Sequence, residues 1–308
     1  MIVVVCPGQG SQTPGFLDPW LHNPTFAAGL DEISAACGLD LLRYGTVSDA
    51  DTIRDTRIAQ PLIVAAGLLT LNALLADGRR DRIAGIAGHS VGEITAAAGA
   101  GILSAADAVH FVSERGNAMA EASALEPSGM SAVLGGDEAD LLARLDKLGL
   151  APANFNGGGQ LVVAGSLEAL SALAENPPPR TRVIPLQVAG AFHTRYMQPA
   201  VQHMKQVAAQ FTPADPSVPI WSNRDGSLVS HGARFVELLV DQVSSPVRWD
   251  MCMRSFAEAG VTGIIEVAPA GALVGLAKRA LKGVPSVAIK TPDDLPAAFD
   301  LIDQQTLV

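Results

Sequence analysis

A mostly parallel α/β fold carrying a small inserted unit of β-α-β-β-α-β order is the architecture the sequence predicts. Two observations predict it. Short apolar runs rich in β-branched residues alternate with helical segments in the first part of the chain, as expected of strands buried in a parallel sheet. The rhythm then changes in the middle of the chain before helical and strand segments resume.

Ile2 to Cys6 is the first apolar run, closed by Pro7-Gly8, and reads as a buried strand entering a loop. A second strand, Ile83 to Ala87, leads into Gly88-His89-Ser90-Val91-Gly92-Glu93, after which a helix of small residues runs to about Gly101. Ser104-Ala105-Ala106-Asp107 has capping-box spacing, with Asp where Glu is usual, and opens a helix through about Ala122. Strands at Ser131 to Leu134, Pro152 to Phe155, Leu161 to Ala164 and Arg182 to Val188 then interleave with helices at Glu138 to Leu148 and Leu167 to Ala174. That order is the split β-α-β-β-α-β unit of ferredoxin-like folds, with Pro177-Pro178-Pro179 as a rigid link before its last strand. A ferredoxin-like subdomain at 127–190 is therefore expected, inserted into an α/β-hydrolase-like catalytic domain of 1–126 and 191–308. Ile264 to Val267 is a later strand, followed by Pro269-Ala270-Gly271 and a helix from about Leu273.

Composition sets the outer limits. The chain has 308 residues, 48% of them hydrophobic and 17% charged, enough apolar material for a large core. Met1-Ile2-Val3-Val4-Val5 lacks the basic start of a signal peptide. Leu62 to Ala76, the longest apolar stretch, is short for a bilayer span and contains Thr70 and Asn72. Three scattered cysteines, Cys6, Cys37 and Cys252, suggest no disulfide framework. A cytoplasmic protein without a membrane partner is the expectation. A net charge of −10 with no extended Lys/Arg patch argues against a nucleic-acid partner.

Gly88-His89-Ser90-Val91-Gly92 fits G-x-S-x-G between a strand and a helix. A nucleophile on so tight a turn needs a strained backbone, and side chains at 88 and 92 would collide with neighbouring elements. Ser90 would sit at a helix N-terminus, where the Val91 N–H and the helix dipole can stabilise an oxyanion. Serine also needs a base. His89 adjoins it in sequence, but strand geometry turns that side chain away from the hydroxyl. His22, His110, His203 and His231 suit surface or helix-face positions. His193, in Gly190-Ala191-Phe192-His193-Thr194, lies where the chain re-enters the core and is the best candidate.

Other readings of these segments are weaker. Gly8-Gln9-Gly10 has Thr13 at the third position of a dinucleotide loop, and no Walker-type run is present. His89 and Glu93 have i,i+4 spacing without a third ligand, so no metal is expected. Cys6 lies on an apolar strand before a proline and reads as core.

Taken together, these segments resemble the malonyl-CoA:acyl carrier protein transacylase family along almost the whole chain. The ordered blocks are Pro7-Gly8-Gln9-Gly10-Ser11-Gln12, Gln60-Pro61, Gly88 to Glu93, Arg115-Gly116 with Met119, and Asn154-Phe155-Asn156 with Gly159-Gln160. Ala191-Phe192-His193, Pro246-Val247-Arg248-Trp249 and Glu266-Val267 complete the set. The look is that of stand-alone bacterial fatty-acid synthesis enzymes of actinobacterial type. The resemblance implies malonyl-CoA as substrate, an acyl carrier protein as partner, and no cofactor of the enzyme's own, since phosphopantetheine belongs to the carrier. It implies Ser90 as nucleophile, His193 as base, and a backbone carbonyl near Arg248 in place of a triad carboxylate. Gln9 and Val91 N–H groups would form the oxyanion hole and Arg115 would pair with the malonyl carboxylate. Gln60, Asn154 and Asn156 would line the pocket or brace its loops, and Phe192 would fill the space of an α-methyl group.

Two departures stand out. The usual Glu-Val-Gly-Pro-Gly block reads Glu266-Val267-Ala268-Pro269-Ala270-Gly271, and Thr194 stands where many members have serine. Because carrier proteins are usually acidic, docking on this acidic chain calls for a local basic surface, and Lys278, Arg279 and Lys282 are the expected one. A monomer is expected. A serine esterase or thioesterase is the competing enzyme class, although no HGGG-type segment is present. A transferase serving polyketide synthesis or malonate decarboxylation would use the same chemistry, and a catalytically silent carrier-binding protein would not need Ser90, His193 and Arg115 together.

Overall fold

The computed structural model describes residues 1–304. From the N-terminus, β1 (Ile2–Cys6) is followed by α1 (Pro24–Cys37), α2 (Leu41–Thr46) and α3 (Thr56–Leu74). Next come β2 (Gly85–Gly88), α4 (Gly92–Gly99) and α5 (Ala105–Leu125). The middle holds β3 (Ser128–Gly135), α6 (Glu138–Leu148), β4 (Ala151–Gly157), β5 (Gln160–Ser166), α7 (Leu167–Glu175) and β6 (Thr181–Pro185). The remainder comprises α8 (Gln198–Ala208), β7 (Ile220–Trp221), α9 (Gly232–Gln242), α10 (Trp249–Glu258), β8 (Gly263–Glu266), α11 (Ala272–Ala280), β9 (Ser286–Ala288) and α12 (Leu295–Gln304).

Two sheets result. One is parallel throughout, in the order β7-β2-β1-β8-β9. The other is antiparallel, in the order β4-β5-β3-β6. β1 shows why the first is covered on both faces. Successive strand residues point to opposite sides, and all five residues of β1 are fully buried. Ile2, Val4 and Cys6 join the larger core, while Val3 and Val5 join a second cluster with Trp249, Phe256 and Leu273. A continuous apolar run is what a central parallel strand requires.

Helix starts follow local chemistry. Asn23 accepts from Thr25 and Phe26 N–H at the head of α1, and Asp55 accepts from Arg57 N–H at the head of α3. At α5 the reciprocal box does not form. Ser104 Oγ accepts from Asp107 N at 3.0 Å, but the Asp107 carboxylate accepts a hydrogen bond from the serine hydroxyl at 2.7 Å, leaving a single cap. α3 starts before the apolar stretch, at Thr56, and is long and apolar enough by composition to cross a membrane, yet most of it is buried inside the protein as a core helix.

The antiparallel sheet is stitched to the rest at β4. Phe155 N donates to Val247 O at 2.8 Å and Val247 N donates to Ala153 O at 2.9 Å, forming a parallel bridge between Asn154 and Val247. This fixes Asn156 against the turn that follows β2. In the departing stretch at 266–271, the Glu266 carboxylate accepts from the N–H groups of Gly271, Leu273 and Val274 and so caps α11.

Candidate active site

β2 ends at Gly88 and α4 begins at Gly92, and the turn between them is closed by contacts that only glycine allows. A Cβ on Gly88 would lie 2.0 Å from the Gly92 carbonyl carbon, and one on Gly92 would lie 2.1 Å from Cys6 O. Gly8 packs on the same turn, its Cβ position 2.8 Å from His89 O. Ser90, at the tip, has φ 54°, a left-handed conformation uncommon for residues other than glycine. Hydrogen bonds hold it there. Ser90 N–H donates to Asn223 Oδ1 at 2.8 Å, Asn223 Nδ2 donates to Gly88 O at 2.7 Å, and His89 N–H donates to Cys6 O at 2.9 Å.

Ser90 Oγ meets His193 Nε2 at 2.7 Å. His193 is buried and also left-handed, with φ 62°. Its Nδ1 lies 2.8 Å from the backbone carbonyl of Gln242, at the end of α9. A carbonyl can only accept, so Nδ1 carries the proton and Nε2 presents a lone pair to the serine hydroxyl. Burial, and after it the charge of Arg115, brings the imidazole down to about 3, so it is neutral near neutral pH.

The carbonyl that orients His193 is therefore not near Arg248, as the resemblance implied. Arg248 O accepts from the N–H groups of Met251 and Cys252 at 3.1 and 3.2 Å and so starts α10. Its guanidinium forms a bidentate pair with Asp250 at 2.9 and 2.8 Å and stacks over Phe155. The sequence does not mark Gln242 as the residue that orients His193, because that contact uses a main-chain atom, which leaves no signature in residue type.

Arg115 projects from α5 and is 1% exposed. Its Nη1 donates to Gln60 Oε1 at 2.7 Å, its Nη2 to Gln242 Oε1 at 2.9 Å, and the same Nη2 stands 3.5 Å from Ser90 Oγ. Both close acceptors are neutral amides. Burial lowers its pKa to about 10, leaving it cationic at neutral pH. Gln60 passes the chain on, donating to Gln9 Oε1 at 3.4 Å, while Gln9 Nε2 reaches Thr56 Oγ1 at 3.3 Å. Among the described residues, the backbone N–H groups of Gln9 and Val91 donate to no protein acceptor.

The other sequence candidates occupy a surrounding layer. His89 Nε2 pairs with Asn156 Oδ1 at 2.9 Å and sits edge-on to Trp249, turned to packing and not to the hydroxyl. Asn156 thus braces the turn. Asn154 joins the Val247 bridge by its backbone, and its buried Oδ1 has no partner among the described residues. Phe192 packs into the larger core. Cys6 and Cys252 are buried free thiols, and burial pushes both up, away from thiolate reactivity.

Two further residues complete the site, Glu93 and Asn223. Glu93 Oε1 accepts from Asn223 N–H at 2.6 Å, and its Oε2 accepts from Gln242 Nε2. Burial raises its carboxyl to about 8 against the pull of those hydrogen bonds and of Arg115. Asn223 follows β7, a strand of two residues defined by its pairing with β2, so nothing local in the sequence marks it.

The comparisons with known proteins agree with one another. The acyl transferase domain family matches residues 3–292. The chain is 52% identical over 305 residues to a malonyl CoA-acyl carrier protein transacylase of Mycobacterium tuberculosis, covering 98% of this chain and 100% of that one. The crystal structure of MCAT from Mycobacterium tuberculosis superposes with a TM-score of 0.94 at 50% identity, covering 97% of this chain and 99% of that chain. A complex of a type II PKS acyl-carrier protein with its malonyl-transacylase matches at a TM-score of 0.91 and 28% identity, covering 97% and 99%. The chain belongs to the acyl transferase domain family and, within it, to the malonyl CoA-acyl carrier protein transacylases.

Proposed function

We propose that the chain is a malonyl-CoA:acyl carrier protein S-malonyltransferase of fatty-acid synthesis, working by a ping-pong route through a malonyl ester on Ser90. The observation that carries this is one oxygen atom with two neighbours: Ser90 Oγ, 2.7 Å from His193 Nε2 and 3.5 Å from Arg115 Nη2.

In the first half-reaction His193 Nε2 takes the Ser90 hydroxyl proton as Oγ attacks the thioester carbonyl. The developing oxyanion is met by the Gln9 and Val91 N–H groups, and losing one such donor costs on the order of 10²–10³ in rate. The tetrahedral species collapses, the C–S bond breaks, and the proton on His193 passes to the departing CoA sulfur. In the second half-reaction His193 takes the proton of the carrier's pantetheine thiol, whose sulfur attacks the ester carbonyl. Ser90 leaves and recovers its proton from His193. The Gln242 carbonyl orients the base throughout, so a dyad does the work of a triad.

Arg115 supports malonyl as the acyl group. A planar guanidinium fork matches a carboxylate, and the two neutral amides that hold it leave its charge for the substrate. Phe192 and Val91, both buried beside the turn or the base, would disfavour an α-methyl branch, worth about 1–3 kcal/mol. Gln60 orients Arg115, Asn156 braces the turn through His89, and Asn154 braces the adjoining β4 through its bridge to Val247. Lys278, Arg279 and Lys282, exposed on and after α11, are proposed as the surface that meets the acidic carrier.

This reading takes 127–190 as a ferredoxin-like subdomain inserted into an α/β-hydrolase-like catalytic domain of 1–126 and 191–308, the last four residues lying outside those described. In support, β3 to β6 follow the β-α-β-β-α-β order, and the nucleophile turn joins a parallel strand to a helix. The enzyme is taken to be a cytoplasmic monomer with no nucleic-acid or membrane partner, in keeping with its acidity and the burial of α3.

The deciding experiment follows malonyl transfer to holo-carrier and hydrolysis to free malonate in one reaction, with Ser90→Ala alongside. Transfer should dominate, and intact-mass analysis should find a malonyl adduct on the wild type only. Hydrolysis outpacing transfer, or an adduct persisting on Ser90→Ala, would overturn the proposal.

A further inference from the structure

We infer that Glu93 is a positioning residue, whose buried carboxylate ties the nucleophile turn to Gln242 and thereby sets the preference for carboxylate-bearing acyl groups. The inference rests on the proposed transfer of malonyl through Ser90.

Glu93 has two arms. Through Oε1 it accepts the backbone N–H of Asn223 at 2.6 Å, and the Asn223 carboxamide grips the turn from both sides, at Gly88 O and Ser90 N. Through Oε2 it accepts from Gln242 Nε2. Gln242 in turn touches three parts of the site. Its Nε2 also reaches Ser90 O at 3.2 Å, its Oε1 accepts from Arg115 Nη2 at 2.9 Å, and its backbone carbonyl accepts from His193 Nδ1. One carboxylate therefore connects the nucleophile, the base and the arginine without contacting the reacting atoms.

The need for a carboxylate follows from polarity. A side-chain amide can sit either way round, and its two ends have similar shapes. Both Glu93 oxygens are used as acceptors, Oε1 from Asn223 N–H and Oε2 from Gln242 Nε2, so the Gln242 NH₂ is drawn to the carboxyl and Gln242 Oε1 is left facing Arg115. A reversed amide would put a donor against the guanidinium. Placement matters equally. Glu93 is one side chain away from Arg115, with the Gln242 amide between them. It is too far removed to occupy the guanidinium directly, so the arginine stays open to a substrate carboxylate.

Glu93→Gln and Gln242→Ala test this, with kcat and KM measured for malonyl-CoA and acetyl-CoA using holo-carrier, and folding checked by thermal unfolding. Gln242→Ala keeps the backbone carbonyl that orients His193 and removes only the side chain. Each variant is expected to lose about ten- to hundred-fold in kcat/KM for malonyl-CoA, the size of a lost hydrogen bond to a charged group. Acetyl-CoA, which has no carboxylate for Arg115, should lose less than malonyl-CoA by about tenfold or more, so that the selectivity ratio falls even where the turn contacts lower both rates. A purely structural role would depress both substrates together, and that result, or unchanged selectivity, overturns the inference. Should Glu93→Gln fail to fold, Gln242→Ala decides by the same ratio. A wild type unable to transfer malonyl would instead remove the proposed function itself, an outcome visible before either variant is compared.

Discussion

Ser90 and His193 meet at 2.7 Å from two backbones that are both left-handed, φ 54° and φ 62°. Each such residue costs on the order of 1–3 kcal/mol and persists only where the surroundings impose it. At Ser90 the imposing groups are Asn223 and the glycine contacts; at His193 the Phe192 N–H bond to Gly190 O closes the preceding turn at 3.1 Å.

Arg115→Ala is expected to abolish the preference for malonyl-CoA over acetyl-CoA. The carboxylate would then be buried beside Gln60 and Gln242 with no cation, a loss of roughly 2–3 kcal/mol or more, about 10²-fold in relative kcat/KM. Steady-state kinetics on the two thioesters check it, and an unchanged ratio would sink the assignment of Arg115.

The pH dependence of kcat/KM should show no acidic limb near 6.5. His193 stays neutral down to about 3 in the free enzyme, and kcat/KM reports free-enzyme groups. Stability carries the same signature. Between about 3 and 6.5 the unfolded chain binds a proton at this position that the folded chain does not, so stability rises with pH across that window and falls on acidification. His193→Ala should flatten that part of the profile in denaturant titrations. Arg115→Ala should move the histidine upward, since the arginine's charge is the second cause of its depression.

Gly88→Ala should be strongly destabilising, by about 3 kcal/mol or more, because the added methyl meets backbone atoms that cannot yield. Gly275→Ala is the contrast. It lies inside α11 with open space around its Cβ position and no positive φ, so a gain of about 0.5–1 kcal/mol is expected from helix propensity. Thermal unfolding of the two variants separates them.

Reversing Lys278, Arg279 and Lys282 together to glutamate should raise the KM for holo-carrier by about tenfold, as removal of a steering patch does. The acylation of Ser90 by malonyl-CoA should be unaffected. If the carrier KM is unmoved, docking lies on another face.

The parts of this molecule that could be read from the sequence were those with local signatures. The apolar run of β1, the glycines at 88 and 92, the helix at Glu138–Leu148 and the histidine at the re-entry point all announce themselves through residue type or spacing. The separation into a parallel and an antiparallel sheet was legible from the change of rhythm near residue 127. Strand ends were less so: β2 begins at Gly85 and not Ile83, since its start is set by pairing with Val3. The orienting carbonyl was placed near Arg248 and belongs to Gln242, six residues earlier in the chain, because any residue has a carbonyl and only the end of α9 decides which one faces the imidazole. Asn223 and Glu93 act through hydrogen bonds between residues 130 apart, a separation at which a single sequence carries no pattern.

That His193 is steered by a main-chain oxygen bears on how this enzyme can change over generations. A codon change at position 242 alters the side chain but cannot delete the carbonyl, so the histidine keeps its tautomer through most point mutations there. A triad aspartate has no such insurance. The acyl preference proposed for the side chain of the same residue would then be free to drift and be selected while the Ser90–His193 contact is kept.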